Sequence, residues 1–320
     1  MTNSLDAAVD LDLIDDALLG SMLGVHRGEI LRDGATVLGE SHRGGVTRRY
    51  RLAEGGTLIF KRTRLPRTAE SAAGSRDDEA AILEAVGKTG LPVATIYTVA
   101  RVGGWLGMLL VDLGPATTVR PATVEDTASI AAWIHATEVP LRLPVLESVA
   151  LAALPKQATD DLARLHTRHG TVVGPIAAAL DKLRPVAEQR CASADQQPSG
   201  LCHGQLHPAR IHRAAADWAV LGWSQAFSGP VLLDLAALHS DGGADCDWDT
   251  LLSDYVSSAG SSRVYDDCDG LDSGRWALGW HRIRQSVTAI ADAADQPTPT
   301  TQPELRQIVS RLEEALRCLT

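Results

Sequence analysis

Between residues 6 and 24, Leu11, Leu13, Ile14, Leu18, Leu19 and Leu23 recur at helical spacing, with aspartates near the front where the macrodipole favours them. The pattern predicts an amphipathic leading helix within residues 1–24. From residue 28 to 65 the period shortens. Residues 30–37, 46–52 and 57–61 read as three short strands separated by Gly44-Gly45 and Gly55-Gly56. Helical spacing returns over 77–89, with Ala80, Leu83 and Val86 along the buried side. From residue 123 onward helices dominate: 127–136, 151–169, 173–189 with an interruption at Pro185, and 230–240. Pro144 and Pro155 read as joints, and 193–199 as a polar loop. A long helix carries Trp276, Trp280, His281 and Arg282, and a linker over 297–303 precedes a final amphipathic helix through Leu305, Ile308, Leu312 and Leu316.

Composition places this pattern in an ordinary globular protein. A chain of 320 residues, 45% hydrophobic and 22% charged, can bury one large domain or two lobes. It has no apolar run near the ~18–20 residues of a membrane span. The acidic start, Met1 to Asp16, lacks the basic front of a secretory signal, so a cytoplasmic protein is expected. A formal charge of −10 argues against a nucleic-acid or membrane partner. A local basic patch stays open, because Arg43, Arg48, Arg49, Arg51, Lys61, Arg62 and Arg64 crowd one early region. The five cysteines form no Cys-x-x-Cys pair and read as reduced thiols, with Cys202 a core residue. Two aspartate clusters, 241–249 and 266–272, lack the order of a calcium loop and read as solvated loops.

The chemistry concentrates in His203-Gly204-Gln205-Leu206-His207-Pro208-Ala209-Arg210-Ile211, followed by Gly222-Trp223 and, twelve residues after Gly222, Asp234-Leu235-Ala236. A kinase-type site places a proton-accepting Asp at the start of such a loop, a metal-binding Asn five residues on, and a second metal-binding Asp at a nearby strand end. In type and register His203, Gly204, His207, Trp223, Gly229 and Asp234 to Ala236 resemble the aminoglycoside phosphotransferase family, the choline-kinase-like branch of the protein-kinase fold. Its loop runs His-Gly-Asp-x-His-x-x-Asn and its metal strand ends Ile-Asp-Trp-Glu.

The resemblance implies an α+β, two-lobed protein-kinase-like fold: an N-lobe over 25–113 with an antiparallel sheet and a helix, and a mainly helical C-lobe over 114–320. Residues 96–100 and 107–112 would be the last two sheet strands, and 111–114 the hinge. The glycines of 39–45, including Gly44 and Gly45, sit where the family covers phosphates. Lys61 and Glu79 sit where it pairs a strand lysine with a helix carboxylate. His203, His207 and Asp234 belong to its structural motif, and His135 reads as a satisfied structural histidine. The helix bearing Trp276 and His281 would line the acceptor pocket.

The family's three oxygen donors fall at Gln205, Arg210 and Gly222 in this chain. Losing base and metal ligands together removes at least ~5 kcal/mol of transition-state stabilisation. No catalytic or metal-ligating residue is therefore expected. Asp217, five residues before the strand end, comes too early to substitute. Arg210 has two readings: a metal surrogate that grips an anion, or a seal bonded to an acid such as Asp234. Three functions stay open: a pseudokinase-like binding or scaffold protein for a small molecule, peptide or partner enzyme; an enzyme repurposed for chemistry without Mg-ATP; and a phosphotransferase with relocated residues. No cofactor is expected, a metal-free nucleotide or other anionic ligand being the alternative.

Overall fold

Side chains alternate between two faces of a strand, and in this protein each face meets a different neighbour. The computed structural model describes residues 11–23, 30–40, 45–65, 79–114, 121–138, 143–169, 173–214, 217–241, 246–295 and 300–320. Helix α1 (Leu11–Leu23) is followed by β1 (Ile30–Glu40), β2 (Val46–Leu52) and β3 (Thr57–Arg64). Helix α2 (Glu79–Gly87), β4 (Ile96–Val102) and β5 (Trp105–Val111) complete a five-stranded antiparallel sheet in the order β1-β2-β3-β5-β4. The three first strands and the leading helix thus lie where hydrophobic periodicity puts them.

On one face Tyr50, Phe60, Trp105 and Leu109 close over Leu18 and Leu19 of α1. Gly107 allows that approach, since a Cβ there would lie 3.2 Å from Leu18. Asp15 of α1 enters the same interface and binds Arg48 at 2.7 Å and also Arg62. The supposed basic patch is therefore largely neutralised: Arg48 and Arg62 go to Asp15, Arg49 to Asp112 and Lys61 to Glu79. On the opposite face Leu106, Met108 and Leu110 join Leu83 and Val86 of α2 in the main core.

The rest is mainly helical: α3 (Val124–Ala136), α4 (Ser148–His169), α5 (Gly174–Arg190), then β6 (Ser199–Cys202), β7 (Ile211–Ala214), β8 (Asp217–Val220) and β9 (Phe227–Pro230), followed by α6 (Leu232–Asp241), α7 (Trp248–Ser257), α8 (Ser273–Asp295) and α9 (Gln302–Leu319). β6 pairs with β9 and β7 with β8, both antiparallel. Pro155 does not mark a joint and Pro185 does not interrupt its helix, because α4 and α5 run through them. A proline inside a helix costs ~3 kcal/mol. Leu151, Leu154, Ala158, Leu162 and Leu165 are all buried along α4, and that packing offsets the cost. Trp276 and Trp280 are fully buried and both donate to the Arg190 carbonyl, so they serve the core. The aspartates within reach do local work: Asp247 caps α7, and Asp269 accepts from the Ser193 amide. A backbone bond from Val220 to the Pro92 carbonyl, 3.0 Å, ties the two halves of the molecule at the back of the cleft. Among the described residues no helix is long and apolar enough to cross a membrane.

Candidate functional site

The loop between β6 and β7 is hung on one carboxylate. Asp234 is fully buried, and its two oxygens accept the amides of His203 and Gly204, each at 2.6 Å, with His135 Nε2 at 3.4 Å. Burial raises its pKa, but the His135 hydrogen bond, nearby imidazoles and backbone amide outweigh this and hold it below the ordinary carboxylate value. Gly204 sits at φ +85°, where a Cβ would collide with the Gln225 carbonyl, so the turn needs glycine. His203 packs edge-on to Trp223 with centroids 4.9 Å apart. Its Nε2 bonds the Leu221 carbonyl at 3.1 Å, while Nδ1 accepts the Gln205 amide at 3.3 Å. Burial lowers its pKa to about 4, so it is neutral at pH 7. His135, Cys202 and Asp234 lie close enough to suggest a metal cluster. The Asp234 oxygens are already committed, His135 also bonds Tyr255, and burial pushes the Cys202 thiol well up; this cluster is structural.

Arg210 brings together Gln205, five residues before it, and Gly222, twelve residues after it. The Arg210 backbone is fixed at both ends, its amide to the His207 carbonyl at 2.8 Å and its carbonyl to the Leu221 amide at 2.9 Å. Its Nη2 donates to Gln205 Oε1 at 3.1 Å. Its guanidinium lies over Gly222, which has φ +84°, so that a Cβ there would be 2.9 Å from Nη1. The expected seal between Arg210 and Asp234 is not formed, because the Asp234 oxygens are taken by the loop amides beneath. The Asp217 backbone pairs with Ala214 at the far end of the β7–β8 hairpin.

Above Arg210 is a cavity of about 340 Å³ between the halves, walled by Ile59, Leu83, Ala94, Leu110 and Leu221. Lys61 and Glu79 face it as a pair, Nζ lying 2.5 and 2.7 Å from the two carboxylate oxygens. A second pair, Arg49 with Asp112 at 2.5 Å, spans from β2 to the chain leaving β5; burial pushes the Asp112 pKa up, but hydrogen bonds from Thr57, Arg49 and the Gly114 amide outweigh it and hold the pKa down. Gly39 lines this cavity and Gly45 does not, while Gly44 lies outside the described residues. His207 lines a separate, smaller cavity on the other side of Arg210.

A sequence profile described as the phosphotransferase enzyme family matches residues 40–271, more than half of the chain. The chain belongs to the phosphotransferase enzyme family. Choline kinase LicA from Streptococcus pneumoniae has a similar structure, with TM-score 0.64 at 14% identity over 96% of this chain and 98% of that one. Plasmodium vivax ethanolamine kinase gives 0.58 at 12% identity over 88% and 82%, and the amicoumacin kinase hAmiN 0.57 at 12% over 99% and 96%. Likeness at this identity establishes the shared two-lobed fold. A comparison with curated proteins found no match.

Within this family scaffold, the metal that phosphotransferases use must find oxygen donors, and the position where they are sought holds a guanidinium, an amide and a glycine. These residues do not fit a magnesium ion. The carboxylates facing the larger cavity, among the described residues, are Glu79 and Asp112, and each is committed to a cation. Sequence reasoning missed the Arg49–Asp112 pair and His212, which also faces the cavity. The register offered a signal for Arg49. It lies two residues from Thr47, which pairs with Lys61, so Arg49 and Lys61 share the cleft face.

Proposed function

We propose that this phosphotransferase family member does not phosphorylate, and that its cleft binds a ligand or partner without a divalent metal. The observation that carries the reading is the guanidinium of Arg210 lying over Gly222 and held by Gln205. A permanent positive charge repels a divalent cation by about 8 kcal/mol at ~4 Å and an effective dielectric of ~20, twice the unit-charge figure. Gln205 has no basic oxygen at neutral pH and cannot relieve a nucleophile of its proton. Lys61 is neutralised by Glu79 and Arg49 by Asp112, whereas among the described residues the Arg210 guanidinium bonds an amide and no carboxylate. The larger cavity therefore presents apolar walls and one uncompensated cation. That combination suits a flat apolar group carrying an anion, of which a metal-free nucleotide is one example. A peptide or partner enzyme with an acidic side chain would satisfy the same wall.

The test is ADP release from ATP by purified full-length chain, with magnesium and a panel of amino alcohols and amino sugars. Turnover at background level is expected. Turnover at an ordinary kinase rate, unchanged by Arg210→Ala, would overturn the reading. The reconstruction Gln205→Asp, Arg210→Asn, Gly222→Asp is expected to gain hydrolysis, because the surrounding scaffold is retained.

A further inference from the structure

The smaller cavity lies on the other side of Arg210, between the 203–211 loop and α8, with a volume of about 160 Å³. It is too small for a drug-sized molecule, whose pockets run from ~300 Å³, yet it exceeds the ~30 Å³ of one water several-fold. Gln205, Arg210, His281, Arg284, Gln285 and Thr288 face it, and among the described residues no carboxylate lines it.

Its polar atoms are sorted by the bonds they already make. Gln205 Oε1 accepts from Arg210, and Gln285 Oε1 accepts from Arg282 at 3.2 Å. Both amide oxygens are thus engaged, leaving amide N–H groups as what those side chains can offer. The Arg284 guanidinium stacks over the Phe227 ring at 4.1 Å and makes no hydrogen bond to a described residue. Asp234 offsets part of its charge from beneath the loop, but that carboxylate is committed to two backbone amides and does not reach the cavity. His281 is 3% exposed, and neither ring nitrogen has a partner. A buried imidazole with both nitrogens unmatched is rare in a folded protein, and a water or a ligand group would complete it. Burial and the neighbouring arginines 284 and 282 lower its pKa to about 3, so it enters as a neutral ring with one donor and one acceptor.

We infer that this cavity is a binding site for a compact oxyanion, a carboxylate or phosphoryl group of a small molecule, held by Arg210 and Arg284 and hydrogen-bonded by His281. The inference rests on the non-phosphorylating reading in one respect: Arg210 stays beside Gly222 instead of yielding to a metal. Arg210 borders both cavities, so one guanidinium faces ligands on either side of the cleft floor. A hydroxyl next to the anionic group would also satisfy the acceptor nitrogen of His281, which favours hydroxy acids and phosphate monoesters over bare carboxylates.

The experiment follows the His281 ring by NMR in full-length chain with labelled histidine, the resonance being assigned with His281→Gln. Inorganic phosphate, acetate and, as an ionic-strength control, chloride are titrated without nucleotide or metal. A saturable shift with phosphate or acetate and none with chloride is expected, and the tighter of the two identifies the class. Arg284→Gln should weaken that binding at least tenfold. If Arg284→Gln does not fold, Gln285→Glu, which brings a carboxylate to the cavity wall, should weaken it several-fold. An unmoved His281, or a folded variant of unchanged affinity, would overturn the site. Such a failure leaves the phosphotransfer result untouched, since the titration contains neither ATP nor magnesium.

Discussion

The two walls of the cleft have handled charge in opposite ways. The upper wall keeps its cations neutralised: Lys61 with Glu79, Arg49 with Asp112. The lower wall holds Arg210 against an amide and a bare backbone, with no carboxylate bonded to it among the described residues. A neutral pair braces a fold, whereas an uncompensated guanidinium at a cavity wall has the charge and fork geometry to hold an anion. The difference separates what the scaffold needs from what a ligand supplies.

The largest effect expected from this contrast is acid sensitivity of the lower half. His203 and His281 are both buried there, with pKa values lowered to about 4 and about 3. Unfolding lets them take up protons near pH 6.5 that the native state refuses. Stability is therefore full above pH 6.5 and falls as pH drops toward 4, with a slope approaching ~2.7 kcal/mol per pH unit for two protons. Urea titrations from pH 7 to 4, followed by tryptophan fluorescence, read this slope. A flat profile would dissolve the contrast.

Next in size is Asp234→Asn. It removes the charge that receives the His203 and Gly204 amides, at a cost of about 3 kcal/mol by chemical denaturation. Gly222→Ala follows at about 2 kcal/mol, combining left-handed strain with contact against Arg210. In an Arg210→Ala background only the strain should remain, so a double-mutant cycle is expected to show coupling of about 1 kcal/mol. Glu79→Gln should be mildest, about 1 kcal/mol, because Lys61 remains a quarter exposed. A larger loss at Glu79 than at Asp234 would reverse the ranking of the walls.

Much of the fold could be read from periodicity and one motif. Alternation along β2 and β3 separates the α1 face from the cleft face, and the 203–211 loop with Asp234 carries the family pattern. What could not be read depends on conformation or on distant packing. The meeting of Arg210 with Gly222 requires φ +84° at residue 222, which no spacing encodes. Arg210 was offered Asp234 as a partner because both are charged, but burial had already committed that carboxylate. Pro155 looked like a break because propensity is local, while the leucines on either side of it in α4 pack into the main core. The helix bearing His281 was expected to line a pocket, and His281 does border a cavity, but that both its ring nitrogens lack a partner depends on packing that no spacing encodes.

The most direct test of the central claim is the magnesium dependence of nucleotide binding, measured by calorimetry on the wild-type chain. With Arg210 seated over Gly222, adding magnesium should bring no gain in ATP affinity over a chelator-treated sample, and any binding present should weaken as the metal masks phosphate charge. A gain of tenfold or more, about 1.4 kcal/mol, would mean that a metal does find a seat beside residues 205, 210 and 222.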